Sequence, residues 1–598
     1  MQKAIGIIDF GGQYAHLISS RIRRLGAYTE ILSNDESIDR YKNFSALILS
    51  GGPASVYEED SPKIDETIFS LGIPILGICY GLQLTVKVLG GVVSKANTRE
   101  YGKAILNITE SSPFLNQLNI TETVWMSHGD EVSKLPDGFQ KIASSVDCEY
   151  AAIANEEKKI YGIQFHPEVL HTLNGNKFLL NFIKISGLEN SWSIKNFLED
   201  KMLEIKTRVP SGKKVFMLVS GGVDSSVAYV LLSRVLGKEN VRGLLVDTGF
   251  MRKNEIQNLK KNLNELGFSL TIADSANEFY DALKNSFEPE EKRKIIGELF
   301  LKIQERMTKE IISDPENWIL GQGTIYPDTI ESGGTKHASK IKTHHNRVDT
   351  ILELLKEGKV IEPLHELYKD EVRELGKMLG LDSNMIERHP FPGPGLAVRM
   401  ITSSEDNSFH NIHELDKFKS EYKKLNLITL PIRSVGVQGD SRTYSHPAIV
   451  NDFTKDWETL EELSTKITNS VNGVNRVIFL PFKKKVPKKI VFNQIYLDRV
   501  HSDILRESDH IVTKILQKYK IEKEIWQMPV ALLPIGKKKN EFSIVLRPVE
   551  STEAMTANFY KMKRKILKKI VNKISKQKEI SFVFYDITNK PPGTIEWE

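Results

Sequence analysis

Cysteine is nearly absent: Cys79 and Cys148 are the only two in 598 residues. Two thiols in so long a chain make no disulfide framework, so a reducing compartment is expected. Long apolar runs are missing too, and nothing approaches the ~20 consecutive apolar residues of a membrane-spanning helix. The opening segment Met1-Gln-Lys-Ala-Ile-Gly-Ile-Ile-Asp9 has neither the apolar core nor the cleavage site of a secretion signal. It reads as a first strand, and the expected location is cytoplasmic. Charge of one sign is scarce, since 82 Lys and Arg face 77 Asp and Glu for a net +5. Lysines do crowd at 483–485, 537–539 and 561–569, but aromatic residues are not interleaved with them as a stacking surface for bases requires. They read as a solvated basic face, and neither nucleic acid nor membrane is an expected partner. The pattern Gly-x-x-x-x-Gly-Lys-Ser/Thr does not occur, which excludes the usual P-loop.

What is present is ordinary globular composition, 40% apolar and 27% charged. The length fits about four domains, or three large ones. The most informative segment is a loop made of Ser220, Gly221, Gly222, Val223, Asp224, Ser225 and Ser226. It follows the apolar run Val215-Phe-Met-Leu-Val219 and precedes a helical pattern. A strand, a Gly/Ser loop and a helix start make an anion site, because backbone N–H groups and the helix dipole point at the loop. Paired glycines let the backbone approach a phosphate closely. The loop resembles the signature of the pyrophosphatase-type (PP-loop) ATP-binding family, which splits ATP into AMP and pyrophosphate.

Across residues 1–190, short apolar runs at Ile5-Gly-Ile-Ile8, Ala46-Leu-Ile-Leu49 and Pro74-Ile-Leu-Gly-Ile78 alternate with helical patterns. They predict an α/β domain with a mostly parallel sheet. Cys79 directly follows one such strand and precedes a helix, the layout of a nucleophile elbow. A thiol at a helix N-terminus is activated as thiolate. Gln164-Phe-His-Pro-Glu168 supplies His166 as a base, with Glu168 to orient it. Alone, a buried cysteine is more often core and a lone histidine structural. Together, Ser50-Gly-Gly-Pro53, Gly77-Ile-Cys-Tyr-Gly81, Ser127-His-Gly-Asp130 and the His166 segment resemble the class I glutamine amidotransferase family over residues 3–187. The resemblance implies that Cys79 attacks the glutamine amide and that His166 is base and acid, held by Glu168. It also implies an oxyanion hole from N–H groups near Gly52 and Tyr80, with Gln83, Ser127 and His128 holding glutamine.

Residues 191–399 open with a polar helical stretch, Glu189 to Arg208, read as a linker. Strands are predicted at Val215–Val219, Val241–Val246 and Trp318–Leu320, with helices near 254–266 and 290–312, hence a second parallel α/β sheet. Ligand loops are expected at the carboxyl ends of its strands: the 220–226 loop and Asp247-Thr-Gly-Phe-Met-Arg252. The adjacent His344 and His345 have no ligand partner at a zinc spacing, so zinc is rejected. Arg388-His-Pro-Phe-Pro-Gly-Pro-Gly395, rich in proline, predicts a stiff extended connection. With these segments and the tail Lys590-Pro-Pro-Gly-Thr-Ile-Glu-Trp-Glu598, the whole chain resembles the glutamine-hydrolysing GMP synthetase family.

Residues 400–598 begin with a polar loop, Ser403-Ser-Glu-Asp-Asn-Ser408, and continue as α+β. The stripe Ile566, Leu567, Ile570, Val571 and Ile574 demands a packing partner. Leu430-Pro-Ile-Arg-Ser-Val-Gly-Val437 echoes Met528-Pro-Val-Ala-Leu-Leu-Pro-Ile535, and each is followed by a strand, an amphipathic helix and another strand. An internal duplication is predicted. A C2 interface uses one patch twice, so two copies in one chain predict a monomer or weak homodimer.

The resemblance implies that the chain aminates xanthosine monophosphate (XMP) to GMP through an adenylated intermediate, with glutamine, ATP and XMP as its partners. It places XMP contacts at Arg252, Asp440, Gln527, Lys590 and Glu596, and a lid at Lys342, Thr343, His344, His345 and Asn346. The expected cofactor is Mg²⁺ with ATP, with Asp224 as a metal partner, and without zinc, haem or nicotinamide. Two rival readings are open: another glutamine-dependent PP-loop amidase or tRNA-modifying enzyme, or a non-catalytic nucleotide-binding regulator. The first would show a salt-sensitive tRNA complex. The second would have lost Cys79, His166 or part of the 220–226 loop, all of which are intact.

Overall fold

Buried β-rich runs bounded by turn residues build the sheets of a computed structural model. It describes residues 4–12, 14–312, 314, 317–328, 360–402, 427–438, 441–451, 456–482, 490–551 and 557–598. The chain divides into two compact units. One comprises Met1–Glu204, Ile325–Asp349 and His365–Leu375. The other comprises Ile205–Thr324, Thr350–Leu364 and Gly376–Glu598. Among the described residues no helix is long and apolar enough to cross a membrane.

The first unit holds a nine-stranded sheet. Its parallel half runs Thr29–Ser33, Ile5–Asp9, Ala46–Leu49, Ile75–Ile78, Ile160–Ile163. The first three predicted strands lie here within a residue of their expected ends, buried along all but Asp9 because both faces are covered. An antiparallel half continues through Ala152–Asn155, Gln140–Ser144, Val92–Ile108 and Thr121–Lys134. The sequence did not announce this second half. The Val92–Ile108/Thr121–Lys134 ribbon is half-exposed and polar, so it carries no continuous apolar run. A buried guanidinium closes the unit: Arg23 lies 4.9–5.3 Å from the rings of Tyr28, Trp192, Tyr326 and Tyr368 and pairs with Glu371 at 3.3 Å.

The second unit holds a five-stranded parallel sheet in the order Leu270–Asp274, Val241–Asp247, Lys214–Leu218, Trp318–Gly321, Val360–Ile361. Its helices include Val223–Leu236, Glu255–Glu265 and Pro289–Ile311. The polar stretch near residue 190 forms the helix Ile194–Arg208.

A further sheet in this unit has two halves of the same design. In one, Ser441–Asn451 pairs antiparallel with Ile428–Thr429 and Ser434–Gln438, then parallel with Val474–Leu480, and the helix Trp457–Ser470 makes the crossover. In the other, Phe542–Leu546 pairs antiparallel with Val530–Leu533 and parallel with Ile580–Asp586, across the helix Arg564–Ile574. Each parallel pair carries a register shift at its start, between His446 and Pro447 in one and between Phe542 and Ser543 in the other. The halves join where Val474–Leu480 meets Ile580–Asp586 antiparallel, Phe479 facing Tyr585. The predicted stripe is covered: Ile566, Leu567, Ile570 and Ile574 are buried, and Val571 is partly so. The polar segment 403–408 lies outside the described residues.

Candidate active sites

The first site stands at the carboxyl end of Ile75–Ile78. Cys79 takes φ +52 as the cap of helix Tyr80–Val88. Crowding explains the flanking glycines: a Cβ on Gly77 would lie 2.6 Å from the Gly81 carbonyl oxygen, and one on Gly81 only 2.2 Å from that of Leu49. A non-glycine residue in the left-handed region is strained, and such strain concentrates at functional positions. The Cys79 thiol lies 3.6 Å from the Ser127 carbonyl oxygen and from Gln164 Nε2.

His166 packs beside the thiol. A Cβ on Gly51 would touch both, at 3.1 Å from His166 Cε1 and 3.7 Å from Cys79 Cβ. His166 Nδ1 meets Glu168 Oε1 at 2.6 Å, and the Glu168 side chain is fully buried. The His166 backbone is pinned as well, its N–H donating to Trp125 O at 3.0 Å and its carbonyl accepting from Thr172 Oγ1 at 2.6 Å. The Tyr14 ring lies 5.3 Å away. Burial works against the imidazolium, but the Glu168 carboxylate and the Cys79 thiol outweigh it and hold the His166 pKa well above its ordinary value.

Gly52, Tyr80, Gln83, Ser127 and His128 line one cleft with Cys79, of about 680 Å³. Tyr80 opens its helix, so its N–H has no carbonyl one turn back. Gln83 Nε2 donates to Asp130 O at 2.8 Å. His128 is held between Asp130 O at 3.1 Å and Glu100 Oε2 at 3.3 Å. Glu100 was missed from sequence, because it lies in the polar ribbon with no motif around it. Cys148, in contrast, is a core thiol whose pKa burial pushes up to about 12.

The second site begins at the end of Lys214–Leu218. Gly221 takes φ +79 and Gly222 caps helix Val223–Leu236, so the loop leads straight into a helix N-terminus. Gly222 N–H donates to Ser220 Oγ at 3.2 Å, Ser220 Oγ meets Ser225 Oγ at 3.0 Å, and Ser226 Oγ donates to Gly222 O at 2.8 Å. Asp224 stands in the first helical turn. Gly221 lines a cleft of about 380 Å³ with Arg252, Glu255, Arg388 and Asp509. Arg252 also lines an adjoining cleft of about 430 Å³ with Asp247, Asp274 and Arg506.

Of the residues expected to hold a nucleotide acceptor, Arg252 and Glu596 share one charged cluster. Arg252 lies 4.3 Å over the Phe391 ring, donates to His389 O at 3.4 Å and approaches Asp509 at 3.9 Å. Glu596 joins the same cluster through Arg399, which it grips at 2.9 and 2.7 Å, and which lies 5.0 Å from the same ring. Gln527 pairs by backbone with Val549, and Lys590 with Ala557. Burial, then Arg547, pulls the Lys590 pKa below its ordinary value. Asp440 and the segment Lys342 to Asn346 lie outside the described residues. Among the described residues no group of three His, Cys, Asp or Glu gathers as a metal cluster.

Comparison with known proteins gives three family matches. The glutamine amidotransferase class-I model matches residues 6–185 and the NAD synthase model residues 192–315. The GMP synthase C terminal domain model matches twice, at residues 412–491 and 514–597, in line with the two equivalent halves of the last sheet. A Leptospira interrogans protein named probable GMP synthase (glutamine-hydrolysing) is 54% identical over the full length of both chains. GMP synthases of Thermosipho melanesiensis and Aquifex aeolicus are 45% and 43% identical, each over 80% of this chain and 97% of their own.

Proposed function

The chain belongs to the glutamine-hydrolysing GMP synthase family, and we propose that its two sites divide that family's reaction between them. The overall conversion is ATP-dependent amination of XMP to GMP, with ammonia from glutamine and with AMP, pyrophosphate and glutamate as products. Residues 1–190 form the glutamine-hydrolysing part, residues 191–399 the ATP part, and residues 400–598 the region that completes the XMP site.

In the first site Cys79 Sγ attacks the side-chain amide of glutamine. His166 takes the thiol proton and returns one to the leaving ammonia, while Glu168 fixes the ring and stabilises its charged form. The N–H groups of Gly52 and Tyr80 receive the oxyanion, a donor of this kind being worth roughly 10²–10³ in rate. Gln83, Ser127 and His128 shape the glutamine pocket. The observation that carries this assignment is the Cys79 elbow at positive φ with the buried His166–Glu168 contact beside it.

In the second site the 220–226 loop takes the pyrophosphate of ATP on its N–H groups. Mg²⁺ is commonly held by one or two carboxylates together with substrate phosphates, so Asp224 fits it without a ligand cluster. The ion would neutralise charge on the departing pyrophosphate. Arg252 and Lys590 suit the acceptor phosphate, and Asp440, Gln527 and Glu596 suit the sugar and base edges of XMP. A cytoplasmic location agrees with the two free thiols.

Product analysis tests the assignment. With XMP, ATP and Mg²⁺, either glutamine or ammonium should yield GMP, AMP and pyrophosphate. Cys79→Ala should lose only the glutamine-dependent route. Loss of both routes in a folded variant, or formation of ADP and phosphate, would reject it.

A further inference from the structure

We infer that Glu255 and Arg388 form a positioning pair that fixes the Gly221–Gly222 peptide for its anion. The inference rests on the proposal that this loop takes the pyrophosphate of ATP. Arg388 Nη2 donates to the carbonyl oxygen of Gly221. Its Nη1 donates to Glu255 Oε1 at 2.6 Å. Glu255 is buried, its side chain 6% exposed. Its other oxygen, Oε2, accepts the backbone N–H of Arg252 at 3.0 Å. One carboxylate therefore ties three loops together: the PP-loop, the Asp247–Arg252 loop and the proline-rich 388–395 segment.

The consequence lies in one peptide plane. The Gly221 carbonyl and the Gly222 N–H belong to the same trans peptide and point in opposite directions. A peptide between two glycines has little steric preference, and Gly221 already stands at φ +79. Left alone, that plane would sample orientations in which the N–H faces away from the anion. The guanidinium holds the carbonyl side, so the N–H side is presented toward Ser220 Oγ and the loop's interior. Glu255 in turn holds the guanidinium with a charge-assisted bond, the stronger kind. Donors fixed before substrate arrives cost no reorganisation during reaction. The pair acts through the loop and needs no contact with ATP.

The test uses the full chain with XMP, Mg²⁺ and ammonium, and follows AMP release against ATP concentration. Arg388→Ala should lower kcat/KM for ATP by roughly 10²-fold, as loss of a preorganised donor does. Added methylguanidinium should restore part of that activity. The double variant Glu255→Ala/Arg388→Ala should fall no further than the worse single variant, because the two residues act as one unit. Glu255→Gln keeps the acceptor for Arg252 but weakens the grip on Arg388. It should lose about 10-fold with an unchanged thermal transition, and it carries the test if Arg388→Ala does not fold. Wild-type kcat/KM in either folded variant, or no recovery with methylguanidinium, would overturn the inference. Gly222→Val separates the two levels. If that variant still makes AMP normally, the loop is not the ATP site and the underlying assignment falls first.

Discussion

At the scale of single residues, the chemistry of the first site depends on one contact. Burial alone would drive His166 to its neutral form, yet Glu168 and Cys79 raise its pKa well above the ordinary value. The protonated ring is the partner a Cys79 thiolate needs. Glu168→Gln should remove the largest raising influence and lower the His166 pKa. The alkaline limb of glutamine hydrolysis should then move to lower pH. The rate should drop on the order of 10²–10⁴-fold, the usual worth of a positioned acid–base group. Stability follows the same sign. A raised histidine pKa contributes stability below its unfolded value, and that contribution is lost as pH rises through the folded value. The variant should therefore lose part of its advantage at mildly acid pH. Glutaminase pH profiles and melts at several pH values measure both effects. An alkaline limb that stays in place would dissociate Glu168 from the titration of His166.

At the scale of elements, the first-unit strands Ile5–Asp9, Ala46–Leu49 and Ile75–Ile78 were legible because both of their faces are buried and their sequences run apolar. The elbow at Cys79 was legible because its glycines mark close backbone approach. The Thr121–Lys134 ribbon was not, although it carries Ser127 and His128: one face is wet and its period is mixed. Nor could the sequence foretell that Tyr326, Tyr368 and Glu371 close around Arg23, since that contact joins residues more than 300 apart in the chain. The buried charges near the C-terminal strap escaped for a related reason, as nothing local marks them. Asp586 is fully buried and pairs with Arg476 at 2.9 Å and Arg547 at 3.2 Å. It also accepts from Trp597 Nε1 at 3.1 Å. The same two guanidinium groups donate to the Thr594 carbonyl, and Arg476 to that of Glu596. The segment bearing Glu596 is thus tied to the sheet in part by two guanidinium groups that one carboxylate neutralises. Asp586→Ala would leave two buried cations without their counter-charge, and breaking a buried pair in this way costs about 3–5 kcal/mol. Urea denaturation should show that loss, and a change below about 1 kcal/mol would mean the network is not a stabilising one. Lys590→Ala, which leaves the wiring intact, is therefore a cleaner probe of XMP affinity than removing the tail.

At the scale of the whole molecule, the duplicated sheet argues for self-sufficiency. Phe479 and Tyr585 are each the sixth residue of a seven-residue strand, and they face one another at the junction of the halves, with ring centroids 5.6 Å apart. A local two-fold axis therefore runs through that pair. The symmetry is imperfect in a telling way. Arg476 and Phe582 each directly follow the register shift of their half, and Leu480 and Asp586 each end their strand. The charged pair that holds the tail takes Arg476 from one half and Asp586 from the other, while their symmetry mates Phe582 and Leu480 are apolar and sit in a buried cluster. An isologous interface uses one patch twice, once from each subunit. Here the two patches come from one chain, and the stripe from Ile566 to Ile574 is already buried without a second subunit. The family model for this region matches twice. The shorter relatives align nearly all of their own length to only 80% of this chain, which leaves room for an extra copy here. We therefore expect a protein that is mainly monomeric at low concentration, any dimer being weak. Light scattering coupled to size exclusion, on ligand-free protein over a dilution series, should return a mass near 67.9 kDa. A dimer that persists on dilution would show that the internal pair has not taken the place of a subunit interface.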